Sequence, residues 1–182
     1  MSTNTPTRFD RLVMPHLDGA YNLARWLIDN RDDAEDAVQE AMMRAYKYLD
    51  SCREDSARQW VLRIVRNTCY DWLAARNALA TWGFADIDPE DADGAAYTAD
   101  VFQDGTETPE GILCREDLRL EIDAMIAALP PTLREVIVLR ELDELSYRDI
   151  AQVIGTPIGT VMSRLARARR LMIQHWNERH DT

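Results

Sequence analysis

Four arginines, Arg164, Arg167, Arg169 and Arg170, stand between Gly155 and Trp176 with no acidic residue among them, in a chain whose net charge is −11. A guanidinium can donate two parallel hydrogen bonds to a guanine edge or neutralise a phosphate, so this local reversal of sign points to nucleic acid. A second set, Asp33, Asp36, Gln39, Glu40 and Met43, gathers carboxylates at helical spacing. Carboxylate clusters invite metal or acid–base chemistry, but no Glu-x-x-His accompanies these, and a solvated or protein-docking face is the plainer reading. A third set, Arg63, Arg66, Asn67, Tyr70 and Arg76, mixes cations, an amide and an aromatic ring, which together can hold phosphate and stack against an unpaired base. Trp60, Tyr70 and Trp72 fit either a base platform or a helical core. Three cysteines (Cys52, Cys69, Cys114) and three histidines (His16, His175, His180) show no zinc-ligand spacing. No nucleophile–base pair or phosphate loop is present, so neither an enzyme nor a resident cofactor or metal is expected.

Helices must position these groups. Ser146 reads as an N-cap, Ile150, Ala151, Val153 and Ile154 as a buried stripe, and Gly155 as a left-handed stop. Thr156 and Pro157 read as a cap with proline at the first helical position. Ile158, Val161, Leu165, Ala168 and Met172 then recur at spacings of three and four as a core face. The opposite side carries Ser163, Arg164, Arg167 and Arg170, which makes the stretch Ser146–Arg170 a helix-turn-helix with a basic outer face. A helical hairpin with a solvated basic face is the bland alternative.

Upstream, Leu17, Ala20, Tyr21, Ala24, Leu27 and Ile28 share one helical face. Asp32 with Glu35 resembles a capping pair for a helix whose apolar positions are Ala34, Val38, Ala41, Ala45 and Tyr48. Ser56 to Gln59 spells a capping box before a helix with Val61, Ile64, Val65, Thr68 and Trp72 inward. That leaves Arg58, Arg63, Arg66, Asn67, Tyr70 and Arg76 for other surfaces. From Asn77 to Cys114 there are nine acidic residues and no basic one, with glycine and proline interruptions. Such a segment buries too little apolar surface to offset its ordering entropy, and reads as a tether or as a polyanion suited to a basic channel, with Trp82, Phe84, Tyr97 and Phe102 as anchors. Helicity resumes near Thr108–Glu110, with Ile112, Leu113, Leu118, Ile122, Met125, Ile126 and Leu129 apolar. It restarts at Pro130–Pro131, so that Leu133, Val136, Ile137 and Leu139 lie beneath the helix-turn-helix. The tail from Gln174 is polar and is expected to fray.

An acidic chain of 182 residues argues against indiscriminate DNA binding, so recognition must be confined to patches or depend on a partner. The first residues hold no apolar signal core and no apolar run approaches a membrane span, which with the cysteine usage suggests the cytoplasm.

DDAEDAVQEAMMRAYKYL (Asp32–Leu49), WVLRIVRNTCYDWLAAR (Trp60–Arg76) and the stretch Leu129–Arg170 resemble, in order and separation, an extracytoplasmic-function (ECF) sigma factor of the sigma-70 family. The resemblance implies an all-α chain of two small helical domains, 1–76 and 115–182, joined by an acidic linker over 77–114. The first, like sigma region 2, would dock on the β′ clamp helices of core RNA polymerase through Asp33, Asp36, Gln39, Glu40 and Met43. It would open −10 DNA with Trp60, Arg63, Arg66, Asn67, Tyr70, Asp71 and Arg76, and the loop Cys52–Gln59 falls where the family reads a base. The second, like region 4, would contact the β flap and read −35 DNA with Thr160, Met162, Ser163, Arg164, Arg167 and Arg170, near Ala166. Met162 and Ala166 depart from the larger or basic residues common there, and LAARNALA after Trp72 offers only Arg76 where the family has several arginines. An anti-sigma factor is implied as regulator, and the protein is expected to be monomeric. A polymerase-independent helix-turn-helix regulator, dimeric on two half-sites, is the alternative, and a sigma mimic lacking DNA binding a third.

Overall fold

The computed structural model describes residues 7–79 and 109–180, the side chains of 77–79 and 109–117 excepted. The central acidic stretch, with Trp82, Phe84, Tyr97 and Phe102, lies outside the described residues. Among those described there are helices and turns and no strand, as the all-α expectation required. A short α1 (Arg8–Leu12) opens on a true capping box, in which Asp10 N–H donates to the Thr7 hydroxyl and the Asp10 carboxylate accepts from Thr7 N. Then α2 (Leu17–Leu27), α3 (Arg31–Lys47) and α4 (Ala57–Leu79) form a three-helix unit. Its interior is lined by fully buried alanines, Ala20 and Ala24 on α2 and Ala34, Ala37, Ala41 and Ala45 on α3. Side chains this small let helix axes approach closely, and Leu23, Leu27, Val61, Leu62 and Val65 fill the space between them.

Three local expectations fail here. The cap of α3 is Asn30, whose side-chain oxygen accepts from Asp33 N at 3.0 Å; Glu35 instead accepts from Arg31 and Tyr21. Asn30 has the extended φ/ψ of a cap, which Asp32, already inside the first turn, cannot adopt. Ser56 ends a 3-10 turn (Glu54–Ser56) and Gln59 turns outward to Asp149, so the box predicted over 56–59 does not form. Tyr48, predicted inward, is exposed beyond the end of α3, with the Lys47 ammonium over its ring.

The second unit holds α5 (Pro109–Ala128), α6 (Pro131–Ile137), α7 (Tyr147–Ile154) and α8 (Ile158–His180). Pro131 takes the first position of α6, where its missing N–H costs nothing. The end of α6 widens into a π-turn, Val138–Leu142, closed by Asp143 N–H to Val138 O at 3.0 Å. The extra residue in that turn rotates the following chain, which turns back through Glu144 (φ 54°) so that Leu145 N–H reaches Leu139 O. Ser146 caps α7 by accepting from Asp149 N, and Gly155 ends it at φ 71°, ψ 34°, both as the sequence predicts. Ile150, Val153 and Ile154 meet Val161, Leu165 and Ala168 in the buried angle of the helix-turn-helix, each large apolar side chain contributing about 1.5–3 kcal/mol.

Corrections fall at the ends of these helices. Ile158, placed on the core face, is 44% exposed because it lies in the first turn, beyond the reach of α7. The Thr156 hydroxyl is buried and caps nothing. Leu118 and Ile122 are exposed, whereas Met125, Ile126 and Leu129 are buried; the side chains of Ile112 and Leu113 lie outside the described residues. The polar tail does not fray: α8 continues to His180, whose ring stacks on Trp176 at 4.0 Å and approaches Glu121 of α5 at 3.5 Å.

The two units pack together, α7 against α4 and α6 against α2, and their buried residues form one continuous core.

Candidate nucleic-acid interface

The outer face of α8 carries Met162, Ser163, Arg167 and Arg170, all exposed, with Thr160 and Ala166 half-buried at its edges. The Ser163 hydroxyl donates back to Thr160 O at 3.0 Å, so it offers an acceptor to an incoming base or phosphate more readily than a donor. Arg164 does not share this face. Its Nη1 lies 3.3 Å from Oε1 of Glu135, a carboxylate on α6 with no solvent exposure. Arg169 likewise turns away, to Glu141 at 2.6 Å. The exposed cations of this face are therefore Arg167 and Arg170.

On α4 the predicted set divides. Arg63 and Asn67 are exposed, and Trp60 is half-buried. Arg66, expected at a free surface, grips Glu135 with two bonds, Nε to Oε2 at 2.7 Å and Nη2 to Oε1 at 3.1 Å. Its guanidinium lies 4.5 Å over the Tyr70 ring, and the Tyr70 hydroxyl is buried without a hydrogen bond. Asp71 and Arg76 belong instead with α3: Arg44 donates to Asp71 and Arg76 to Asp33, both at 2.7 Å. These pairs flank a groove of about 620 Å³ lined by Asp33, Glu40, Asp71, Trp72, Ala75 and Arg76. There the Trp72 indole donates to Glu40 at 2.9 Å and, with Arg44, holds the Glu40 carboxyl below its ordinary range. Of the α3 set, Asp36, Gln39 and Met43 stand exposed, while Asp33 and Glu40 are engaged in the groove.

The first turn of α4, at the end of the stretch 52–59, also meets the second unit. Arg58 donates to Asp143 O at 2.6 Å, Gln59 to Asp149 at 2.8 Å, and Asn22 on α2 donates to the Asp143 carboxylate at 3.3 Å. Cys52 and Cys69 are buried, and burial pushes the Cys69 thiol up to about 12, so it stays protonated and unreactive at neutral pH.

Burial also raises the Asp143 carboxyl above its ordinary value, against smaller opposing effects of the Asn22 hydrogen bond and the Arg58 charge. A group that binds its proton more tightly in the folded protein contributes its full stabilisation below the unfolded value, 3.8, and loses it as pH rises through the higher folded one. At pH 7 the ionised carboxylate is thus a liability, with one oxygen buried and unpaired. Asp143→Asn keeps the acceptor for Asn22 and is expected to stabilise the fold at pH 7 by roughly 0.5–1 kcal/mol, screening keeping the gain small. Thermal unfolding at pH 7 and at pH 3.5 checks this: the gain should vanish in acid.

Sequence reasoning missed Glu135 and Asp143, the two buried carboxylates that face the first unit from the second. Only the position of Glu135 among Leu133, Val136 and Ile137 hinted at burial.

Residues 12–78 match the Sigma-70 region 2 family and residues 119–172 match Sigma-70, region 4. The chain is 41% identical over 143 residues to the ECF RNA polymerase sigma-E factor of Escherichia coli (strain K12), covering 75% of this chain and 70% of that one. It is 35% identical over 167 residues to the RNA polymerase sigma-H factor of Pseudomonas aeruginosa, covering 88% and 82%. Among solved structures, the sigma factor RpoE in complex with the anti-sigma factor NepR from Bartonella quintana superposes with a TM-score of 0.65 at 26% identity, over 91% of this chain and 94% of that one. With both helical units, their order and the basic α8 face in agreement, the chain belongs to the extracytoplasmic-function branch of the sigma-70 family, the non-catalytic subunits that direct RNA polymerase to promoters.

Proposed function

We propose that this sigma factor docks on the β′ clamp helices through the exposed Asp36, Gln39 and Met43, and reads promoters with two separate surfaces. Residues 1–76 supply the −10 surface, in which Arg63 and Asn67 face the DNA and the loop 52–59 receives an unpaired base. Residues 115–182 supply the −35 surface, with Arg167 entering the major groove beside Met162 and Ser163 and Arg170 meeting the flanking backbone. The acidic linker 77–114 joins them, and the protein acts in the cytoplasm as a monomer. The observation that carries the reading is the outer face of α8, free of acidic residues up to Trp176 and exposed on a helix-turn-helix whose angle is filled by buried apolar side chains. An anti-sigma factor is its regulator, on the precedent of the Bartonella quintana complex. Transcription with purified core polymerase on a promoter library tests this: a single −35/−10 consensus should emerge, and tight operator binding by the chain alone would overturn the reading.

Asp36 is exposed and makes no hydrogen bond among the described residues, so Asp36→Ala should leave the fold intact. It is expected to weaken core polymerase binding by about 1 kcal/mol, as truncating an interface side chain does, without changing promoter preference. Fluorescence titration of core onto labelled protein, beside the same promoter library, measures both.

A further inference from the structure

The −10 side of α4 and the helix-turn-helix do not stand apart in this structure; they occupy each other. Arg66 and Tyr70 of α4 are turned into the seam, and the Arg63 guanidinium lies 3.8 Å from the place a side chain would start at Gly155, the turn between α7 and α8. A single carboxylate ties α4 to α8 within it. Glu135 receives Arg66 from the first unit and Arg164 from the second, and its side chain is completely buried, whereas those of Arg66 and Arg164 are 17% and 28% exposed.

We propose that Glu135 is a latch through which the sigma factor inhibits itself, keeping Arg66 from DNA until the two units part. The proposal rests on the assignment of α4 to the −10 element. Three features make the latch reversible. Opening does not orphan Glu135, since Arg164 belongs to the same unit and stays with it. Arg66, once released, finds in a DNA phosphate the same bidentate acceptor that Glu135 supplies, so promoter DNA and the closed form compete for one guanidinium. The seam also contains two buried polar atoms without partners, the Tyr70 hydroxyl and one Asp143 oxygen, and both gain water on opening. The closed form is therefore held by the apolar core the units share and by charged hydrogen bonds across the seam, among them Arg66–Glu135, Arg58–Asp143, Gln59–Asp149 and Arg134 to Trp26 O, against a built-in cost.

Distance measurement between probes at Asp50 and Arg179, both exposed, on the full chain without polymerase or anti-sigma factor tests this. Wild type should show one short distance. Glu135→Gln should raise the open fraction about tenfold. Arg66→Met, which lies on the other unit and leaves Glu135–Arg164 intact, should do the same, so a folding defect in either variant alone leaves the test standing. In the double variant the two effects should not add. Distances that stay at the wild-type value in both folded variants overturn the latch. Binding of a single-stranded −10 oligonucleotide to Glu135→Gln is measured in parallel: opened distances without a gain in oligonucleotide binding would refute the −10 assignment of α4 and leave the latch supported.

Discussion

Glu135→Ala is expected to lower the free energy of unfolding by about 3–5 kcal/mol, the cost of breaking a buried ion pair by removing one partner. The magnitude follows from what stays behind. Arg66 and Arg164 point at the same vacated site, each largely withdrawn from water, and would face each other with no anion between them. The Arg66 guanidinium is held over the Tyr70 ring, so it stays at the vacated site while the two units remain together. Glu135→Gln should cost roughly half as much, because an amide oxygen still accepts from one guanidinium. Urea unfolding followed by circular dichroism at pH 7 gives both values. A loss under about 1 kcal/mol for the alanine variant would mean that the two arginines already reach solvent and that the pair is a surface contact.

The parts of this molecule that were legible in the sequence are those decided locally. Ser146 caps α7 and Gly155 ends it because a side-chain oxygen three residues before an orphan N–H, and a residue without Cβ where φ must be positive, are requirements of one turn of helix. The same holds for Val161, Leu165 and Ala168, whose spacing alone puts them on one face. What could not be read was which anion an arginine meets. Arg164 and Arg167 are three residues apart on α8 and equally charged, yet one ends on Glu135 and the other in solvent. The difference lies in α6, whose carboxylate is placed by packing some thirty residues earlier in the chain. Arg66 is further from prediction, since its partner lies 69 residues away in another unit. Caps fail where two candidates compete: Asn30 and Asp32 both suit an N-cap, and the extended backbone at Asn30 decides between them. The tail departs from the expectation of fraying because Trp176 stacks on His180, which approaches Glu121 and ties the last turns of α8 to α5.

The contrast between those two arginines gives the sharpest functional expectation. Arg167→Ala should weaken discrimination at the −35 element by about 1–3 kcal/mol while leaving thermal stability unchanged, because the side chain is exposed and makes no hydrogen bond among the described residues. Arg164→Ala should do the reverse. It strips one of two cations from a buried carboxylate and destabilises the helix-turn-helix, so any loss of transcription tracks unfolding and spreads over all promoters. Holoenzyme binding to wild-type and single-base −35 variants, at several salt concentrations, separates the possibilities. If Arg167 reads a base, the penalty for one mismatch disappears in the alanine variant while the others persist. If it anchors phosphate, every sequence weakens equally and the salt slope falls by about one. The geometry favours the first outcome, since Arg167 lies near the middle of the exposed α8 face, one turn beyond Ser163, where a helix seated in the major groove meets base edges, whereas Arg170, nearly one further turn along, is placed to meet the backbone.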